Sequence, residues 1–113
     1  MQRRRFLQTS VAAVVVTGSS SKLHATTKAP THYDITITRF KFVPDTLDVH
    51  LGDTITWLNK DIAPHTATAN DDSWTTDELG KKQSQTLTVT AEMSGDYYCV
   101  YHPHMKAKLN IRT

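Results

Sequence analysis

Apolar and polar residues alternate along most of the chain from residue 33 onward. This two-residue period is typical of half-buried β-strands, in which successive side chains point to opposite faces of a sheet. It predicts strands over residues 33–38, 47–51, 54–57, 86–90 and 108–111. Residues 75–82 have room for one short helical turn. Short strands separated by turn-forming residues predict an all-β fold, an antiparallel Greek-key β-sandwich.

One hydrophobic core is expected between the two sheets of this sandwich. Its members should be apolar residues on the inward faces of the strands, namely Ile35, Val49, Trp57, Leu87, Val89, Leu109 and Ile111. A chain of 113 residues is long enough for one domain of this kind. We assign the domain to residues 33–113 and expect residues 26–32 to form a loose lead-in.

The first 25 residues are typical of an export signal. Arginines at positions 3–5 and the pair Phe6-Leu7 precede an apolar run over residues 11–16, and residues 23–25 resemble a cleavage site. Paired arginines followed by Phe-Leu indicate the twin-arginine route, with the Sec route and an uncleaved, membrane-tethered leader as alternatives. The apolar run is too short to span a bilayer. We therefore expect a periplasmic domain with no membrane span after processing.

Charge and cysteine content narrow the possible functions. The formal net charge is +2, and removal of residues 1–25 takes away four basic residues, which leaves nine basic against eleven acidic residues and a charge of −2. A mildly acidic domain is a poor candidate for nucleic-acid binding. The single cysteine, Cys99, excludes an internal disulfide and any zinc site that needs two thiolates. Because a free thiol is a liability in an oxidising compartment, we expect Cys99 to bind something.

Four metal-binding side chains lie close together near the end of the sequence: Cys99, His102, His104 and Met105. Thiolate, imidazole and thioether donors suit copper, and two histidines with one cysteine and a distant methionine are typical of copper that transfers electrons. The remaining histidine has to come from elsewhere in the chain. His65, at the expected end of a strand, is the candidate, because one pole of a sandwich can bring its loop close to residues 99–105.

The arrangement of these residues resembles the cupredoxin family. The motifs occur in the family's order, as Phe40-x-Phe42-x-Pro44, Gly52-Asp53-x-Ile55-x-Trp57-x-Asn59, Pro64-His65 and Gly95-x-Tyr97-x-Cys99-x-x-His102-Pro103-x-Met105. The short loop before the methionine is similar to that of the amicyanin type, whereas plastocyanin and pseudoazurin have longer loops. The resemblance implies one copper ion per chain, with His65, Cys99 and His102 as equatorial ligands and Met105 as the axial ligand.

His104 is the alternative to His102, because its spacing from Cys99 matches that of the azurin loop. The axial ligand of azurin lies several residues further along, however, and the only methionine after His104 is the adjacent Met105. The spacing therefore favours His102. His104 itself occupies a position where amicyanin-like loops usually carry an aromatic residue.

The same resemblance implies roles for residues around the ligands. The backbone N–H of Thr66 is expected to bond to the thiolate, and Asn59 to tie the two ligand loops together, since such contacts fix ligand geometry. Pro103 has no N–H and stiffens the loop. The edge of the site is expected to form a small apolar docking patch from Ala63, Pro64, His102, Pro103, His104 and Met105.

These observations predict an electron carrier and not an enzyme, because the sequence offers no second copper cluster, catalytic triad or phosphate-binding loop. The resemblance implies a monomer with transient redox partners, a c-type cytochrome or a periplasmic dehydrogenase or oxidase, bound through a small interface. Acidic residues that are candidates for steering a basic partner are Asp71, Asp72, Asp77 and Glu78. The alternative function is a periplasmic copper chaperone or copper-buffering protein.

Overall fold

The structure, a computed structural model, describes residues 29–113, so the predicted export signal over residues 1–25 lies outside the described residues. The described part contains eight strands, which are β1 (His32–Thr38), β2 (Lys41–Val43), β3 (Thr46–His50), β4 (Thr54–Asn59), β5 (Thr68–Ala69), β6 (Ser84–Thr88), β7 (Asp96–Cys99) and β8 (His102–Arg112). Residues 75–82 are not helical. Within residues 29–113 there is no helix of the length and hydropathy needed to cross a membrane.

The strands form two four-stranded sheets around one core. One sheet has the order β2-β1-β4-β6 and the other the order β3-β8-β7-β5. The all-β sandwich is confirmed, but the pairing is not purely antiparallel as predicted, since β1 runs parallel to β4 and β3 runs parallel to β8. The chain passes back and forth between the two sheets. Strands that are not consecutive in sequence, such as β1 and β4, are therefore neighbours in a sheet. Alternation does not distinguish the two directions, because the side chains of both kinds of strand have a period of two.

The inward faces of both sheets supply the core. In β4, Ile55, Trp57 and Asn59 are buried and the residues between them are half-buried. Five of the seven predicted core residues are buried, whereas Leu87 and Ile111 are partly buried and pack against the core from its edge. Core residues that the alternation did not predict lie in short strands or loops, among them Phe42, Ala67, Ala69, Trp74 and Leu79.

Four aromatic rings form the centre of this core. The ring of Tyr97 lies 4.8 Å from Phe42, 5.8 Å from Trp57 and 5.3 Å from Trp74, measured between centroids, and such separations are favourable for aromatic pairs. The Trp57 indole N–H donates to the Tyr97 hydroxyl at 3.4 Å. Burial raises the pKa of Tyr97, so its phenol stays neutral. These contacts fix β7 two residues before Cys99.

The hairpin from β7 to β8 shapes the end of the sandwich that carries the candidate ligands. Cys99, the last residue of β7, points inward, as the alternation along this strand requires. It pairs with His102, whereas the neighbouring residue Tyr98 pairs with Lys106. Residues 103–105 therefore bulge out of the ladder between these two pairs. A bulge changes the direction of the side chains that it carries, and this one lies directly opposite Cys99.

Gly95→Ala is expected to destabilise the protein. Gly95 lies directly before β7, and a Cβ there would overlap the backbone carbonyl of Leu109 in β8. The Leu109 N–H donates to the Gly95 carbonyl at 2.8 Å, which keeps the two segments together. We expect the free energy of unfolding, measured by chemical denaturation, to fall by about 1–3 kcal/mol, the usual cost of overpacking. Gly80→Ala is the matched control, because its Cβ would meet only the flexible Gln83 side chain, and equal losses in both variants would contradict the prediction.

Asp71 is expected to contribute to the dependence of stability on pH. The Ser73 N–H and the Ser94 hydroxyl each donate to its Oδ1 at 2.9 Å, and hydrogen bonds from Ser73 and Ser94 lower its pKa in the folded protein. Since the folded pKa lies below the unfolded value, the stabilisation is complete above the unfolded pKa and is lost as pH falls through the folded pKa.

The test is Asp71→Asn, which keeps the shape of the side chain and removes its charge. Between about pH 5 and pH 2, the free energy of unfolding should fall more steeply in the unmodified protein than in this variant. Asp72→Asn serves as the control, because the Asp72 carboxylate takes no part in these hydrogen bonds from Ser73 and Ser94. If Asp71→Asn and the unmodified protein show parallel pH profiles, the assignment of Asp71 is wrong.

Candidate metal centre

Three metal-binding side chains meet at the end of β7. Cys99 Sγ lies 3.6 Å from His65 Nδ1 and 3.6 Å from His102 Nδ1, and the three donor atoms all lie within 4.8 Å of one another. His65 and Cys99 are fully buried, while His102 is half-buried. The fold thus brings a histidine from one loop to a cysteine and a histidine from another.

Different backbone elements hold the two loops in place. His65 exchanges two backbone hydrogen bonds with Leu79, at 3.0 and 2.8 Å, and this isolated bridge fixes its loop outside any regular strand. Cys99 is held by β7, and His102 pairs with Cys99 across the hairpin. The positions of the donor atoms therefore depend on backbone pairing as well as on side-chain contacts.

The donor set fits a single copper ion. Two edges of 3.6 Å suit an ion that binds nitrogen and sulfur at about 2.0–2.3 Å, the lengths found at zinc sites. One thiolate with two imidazoles is the equatorial set of electron-transfer copper sites. Met105, the predicted axial ligand, is buried in the same core cluster as Cys99. His104 is exposed and lies outside the donor group, so the fold brings His102 and not its alternative to Cys99.

The second ring nitrogen of His65 faces a carboxylate. His65 Nε2 lies 2.8 Å from Asp61 Oδ2, and the Asp61 side chain is only 14% exposed. Burial by itself raises the pKa of Asp61, but hydrogen bonds from the Phe40 N–H, from His65 and from the Arg39 N–H outweigh it, so the pKa is lowered. An ionised carboxylate only accepts hydrogen bonds. The His65 Nε2–H is therefore the donor, and Nδ1 is the ring nitrogen that faces Cys99.

Asp61 also holds the turn between β1 and β2. Its Oδ1 accepts from the Arg39 N–H at 2.8 Å and its Oδ2 from the Phe40 N–H at 2.9 Å. Both turn residues have positive φ, 53° and 60°, as the central positions of a two-residue type I′ hairpin turn require. The turn sets the Phe40 ring edge-on to His65 and His102, at centroid distances of 5.2 and 4.7 Å.

Two hydrogen bonds connect the loops around the sulfur. The Thr66 N–H donates to Cys99 Sγ at 3.4 Å, and the Val100 N–H donates to Thr66 Oγ1 at 3.1 Å. The Thr66 hydroxyl also lies 3.0 Å from that of Thr68. Thr66 is thus the residue that joins the two loops, through both its backbone and its side chain.

Asn59 has a different place in this network from the one that was predicted. Its side-chain N–H groups donate to the carbonyls of Ala63 and Leu79, at 2.9 and 2.8 Å. Its Oδ1 accepts from the Asp61 N–H at 2.8 Å. None of these bonds reaches residues 99–105, because the alternation along β4 directs Asn59 inward beneath its own loop. Asn59 supports the His65 loop and does not tie it to the second one.

The predicted docking patch lies only partly at the surface. Its exposed members are Pro64, Pro103 and His104, and Ala63 and His102 are half-buried. Met105, in contrast, is 3% exposed. The bulge in β8 turns this side chain into the core, so Met105 does not contribute to a docking surface.

Several large exposed side chains near the site were not predicted, among them Phe40, Ile62, Val100 and Tyr101. Ile62 is 83% exposed, and Phe40 and Tyr101 are each 48% exposed. Phe40 and Ile62 line a shallow groove with Lys60 and Lys81. These apolar residues lie in turns, where no periodic pattern marks them. Their exposure beside the site could have been inferred only from their positions near the ligand motifs, since Tyr101 directly precedes His102 and Ile62 lies in the His65 loop.

The acidic residues that were considered for steering a partner do not form one group. Asn70, beside Asp71, bonds through its N–H to the carbonyl of Asp96 at the start of β7, at the opposite end of this strand from Cys99. Glu78 precedes the residue that pairs with His65. Its Oε1 accepts from the Tyr101 hydroxyl at 2.6 Å, and this bond raises the pKa of Tyr101. Of this set, Glu78 is the residue whose contacts place it on the side of the candidate metal centre.

Curated relatives with similar sequences are amicyanins. Amicyanin of Paracoccus denitrificans is 30% identical over 80 residues, which covers 66% of this chain and 61% of that protein. Amicyanin of Paracoccus versutus is 26% identical over 78 residues, covering 65% of this chain and 59% of that protein. The chain thus spans about three fifths of the length of the curated relatives that it matches.

Solved structures and a family model agree with this similarity. An oxidised amicyanin variant matches with a TM-score of 0.63 and 27% identity over 72% of this chain and 82% of that one. The Cu(I) form of another amicyanin variant matches with a TM-score of 0.62 and 30% identity over 78% and 89% of the two chains. The family model described as a cupredoxin-like domain matches residues 9–111. With this match over most of its length, the chain belongs to the cupredoxin family.

Proposed function

We propose that this protein is a periplasmic type 1 copper protein that carries single electrons between redox proteins. The observation that carries the proposal is the cluster of Cys99 Sγ with the Nδ1 atoms of His65 and His102. Similarity to a structure of amicyanin in its Cu(I) form supports copper as the metal. An electron carrier, and not an enzyme, is the function to which this single metal centre is suited.

Each residue of the centre has a distinct proposed role. His65, Cys99 and His102 would hold the copper ion, and Met105 would bind it more weakly. A bound copper ion supplies a one-electron couple, which this mixed set of donors serves in both oxidation states. The Thr66 N–H stabilises the thiolate through its bond to Sγ. His65 and Cys99 are fully buried, which would keep water away from a bound ion on the core side.

His102 is the proposed route for electrons. It is the half-buried member of the cluster, and the exposed Phe40 ring lies against it. We propose that partners dock on the apolar surface around it, formed by Phe40, Ile62, Ala63, Pro64, Tyr101, Pro103 and His104. Such partners are transient redox proteins, a c-type cytochrome or a periplasmic dehydrogenase or oxidase. A small interface allows the rapid release that a shuttle needs.

The proposed location follows from the sequence of the leader. Residues 1–25 would direct export, by the twin-arginine route, and residues 33–113 would form the exported domain. Residues 31 and 32 already join the fold, since Thr54 N–H donates to the Thr31 carbonyl at 3.0 Å and His32 begins β1. The domain is proposed to work as a monomer.

Copper addition is the direct test of this function. We expect an intense thiolate-to-copper absorption band that disappears with ascorbate and returns with an oxidant, accompanied by the narrow copper hyperfine splitting of a type 1 site in electron spin resonance. Cys99→Ser should abolish the band, because the sulfur donor is lost. His104→Gln should retain it, because His104 lies outside the donor group.

The same experiment distinguishes an electron carrier from the alternative function. A protein that binds Cu(I) tightly but gives no reversible band would be a copper chaperone or copper-buffering protein, and the electron-transfer proposal would be wrong. Loss of the band in His104→Gln together with its retention in His102→Gln would show that the ligand assignment is in the wrong register.

The docking surface is tested by electron self-exchange between oxidised and reduced copies of this protein. Two copies have to bring their copper centres close together, so removal of an apolar side chain beside the site should slow the exchange. We expect Ile62→Ser to lower the rate constant, measured by NMR line broadening in mixtures of the two states, about tenfold, equivalent to about 1.4 kcal/mol. Leu51→Ser changes an exposed residue before β4, at the end remote from the site. Equal effects of the two variants would refute the proposed surface.

A further inference from the structure

We propose that Asp61 is a positioning residue of the metal centre, which sets the orientation of His65, holds the Phe40 ring against both histidines and favours the oxidised metal. This inference rests on the proposed function, because it concerns the same centre. Asp61 is not itself a proposed ligand, but it would influence the orientation of the ligands and the reduction potential of the metal. Three independent contacts of the Asp61 carboxylate carry the argument.

The first contact fixes the tautomer of His65. A neutral imidazole carries one proton, and the nitrogen that lacks the proton is the one that binds a metal. The Asp61 Oδ2 atom, 2.8 Å from Nε2, retains the proton on that nitrogen. Nδ1, 3.6 Å from the sulfur, is then free to coordinate. Without the carboxylate, the proton is free to distribute between both nitrogens, and the ring is free to rotate.

The other two contacts stabilise a turn that is otherwise unfavourable. Arg39 and Phe40 both have positive φ, which residues other than glycine, asparagine and aspartate seldom adopt. Each of their N–H groups is bound by one oxygen of the Asp61 carboxylate. The hydrogen bonds to the Asp61 carboxylate thus stabilise a turn that normally contains glycine. Because position 40 holds phenylalanine and not glycine, the turn places a phenyl ring beside the two histidines.

The ring held in this way restricts both imidazoles. Phe40 lies edge-on to His65 and to His102, with interplanar angles of 88° in each case. The two imidazoles lie 4.9 Å apart, so a ring packed against both limits their rotation together. A single carboxylate therefore orients one histidine by direct bonding and both histidines through Phe40.

The negative charge of Asp61 should also affect the reduction potential of the metal. A carboxylate bonded to the remote nitrogen of a metal-bound histidine raises the basicity of that ligand. A more basic ligand and a nearby negative charge favour Cu(II) over Cu(I), because the oxidised ion carries the larger positive charge. Removal of the charge should therefore raise the reduction potential.

The experiment compares Asp61→Asn with Asp77→Asn, which removes one carboxylate as well but changes a residue that is not bonded to His65. In the copper-loaded protein at neutral pH, Asp61→Asn should shift the ratio of Cu(II) to Cu(I) binding constants about tenfold towards Cu(I). That factor is a rise of about 59 mV in the reduction potential of a one-electron couple. Asp77→Asn should change the potential by less than a third of this amount.

A second measurement does not depend on copper. Nitrogen-15 NMR of the metal-free protein should show His65 protonated at Nε2 in the unmodified chain and as a mixture of tautomers in Asp61→Asn. If His65 of the unmodified chain carries its proton on Nδ1, the inference is overturned even if the variant fails to fold. It is equally overturned if Asp61→Asn leaves both potential and tautomer unchanged. A missing copper band in the unmodified protein would instead refute the proposed function.

Discussion

The sulfur of Cys99 is the point on which the organisation of this domain depends. It is fully buried where two loops meet, so its environment has to be provided by residues that are far apart in sequence. Thr66 supplies an N–H to the sulfur and a hydroxyl to the loop that follows it, while His65 and His102 bring one nitrogen each to 3.6 Å. A buried thiol surrounded by donors in this way is the basis of a preorganised metal centre, since each neighbour is held by bonds of its own.

Rigidity at the site comes from the layers beneath it. Tyr97 packs among three other aromatic rings, and this holds β7, whose last residue is Cys99. On the opposite loop, hydrogen bonds of Asn59 and Asp61 stabilise the turn that precedes His65 and the His65 ring itself. An electron carrier benefits from such support, because a centre that barely rearranges between oxidation states keeps the barrier to electron transfer low. In the proposed function, the half-buried His102 is the part of the centre closest to a partner.

Alternation predicted the longer strands and much of the core, because a two-residue period is a direct consequence of strand geometry. It could not predict β2 or β5, which are three and two residues long, nor the parallel pairing of β1 with β4. Spacing proposed His65, Cys99 and His102, and the fold brings these three together. The role of Asp61 depends on a turn with two positive φ angles, and the inward position of Met105 depends on a bulge. Neither feature leaves a periodic trace in the sequence.

A pair of crystal structures of the copper-loaded domain, one oxidised and one reduced, tests the central claim most directly. We predict that copper binds to His65 Nδ1, Cys99 Sγ and His102 Nδ1 in the oxidised structure and that these three atoms shift by less than about 0.5 Å on reduction at neutral pH, the tolerance expected of a preorganised site. Copper bound through His104, or a Cys99 sulfur that lies outside the coordination sphere, would contradict it.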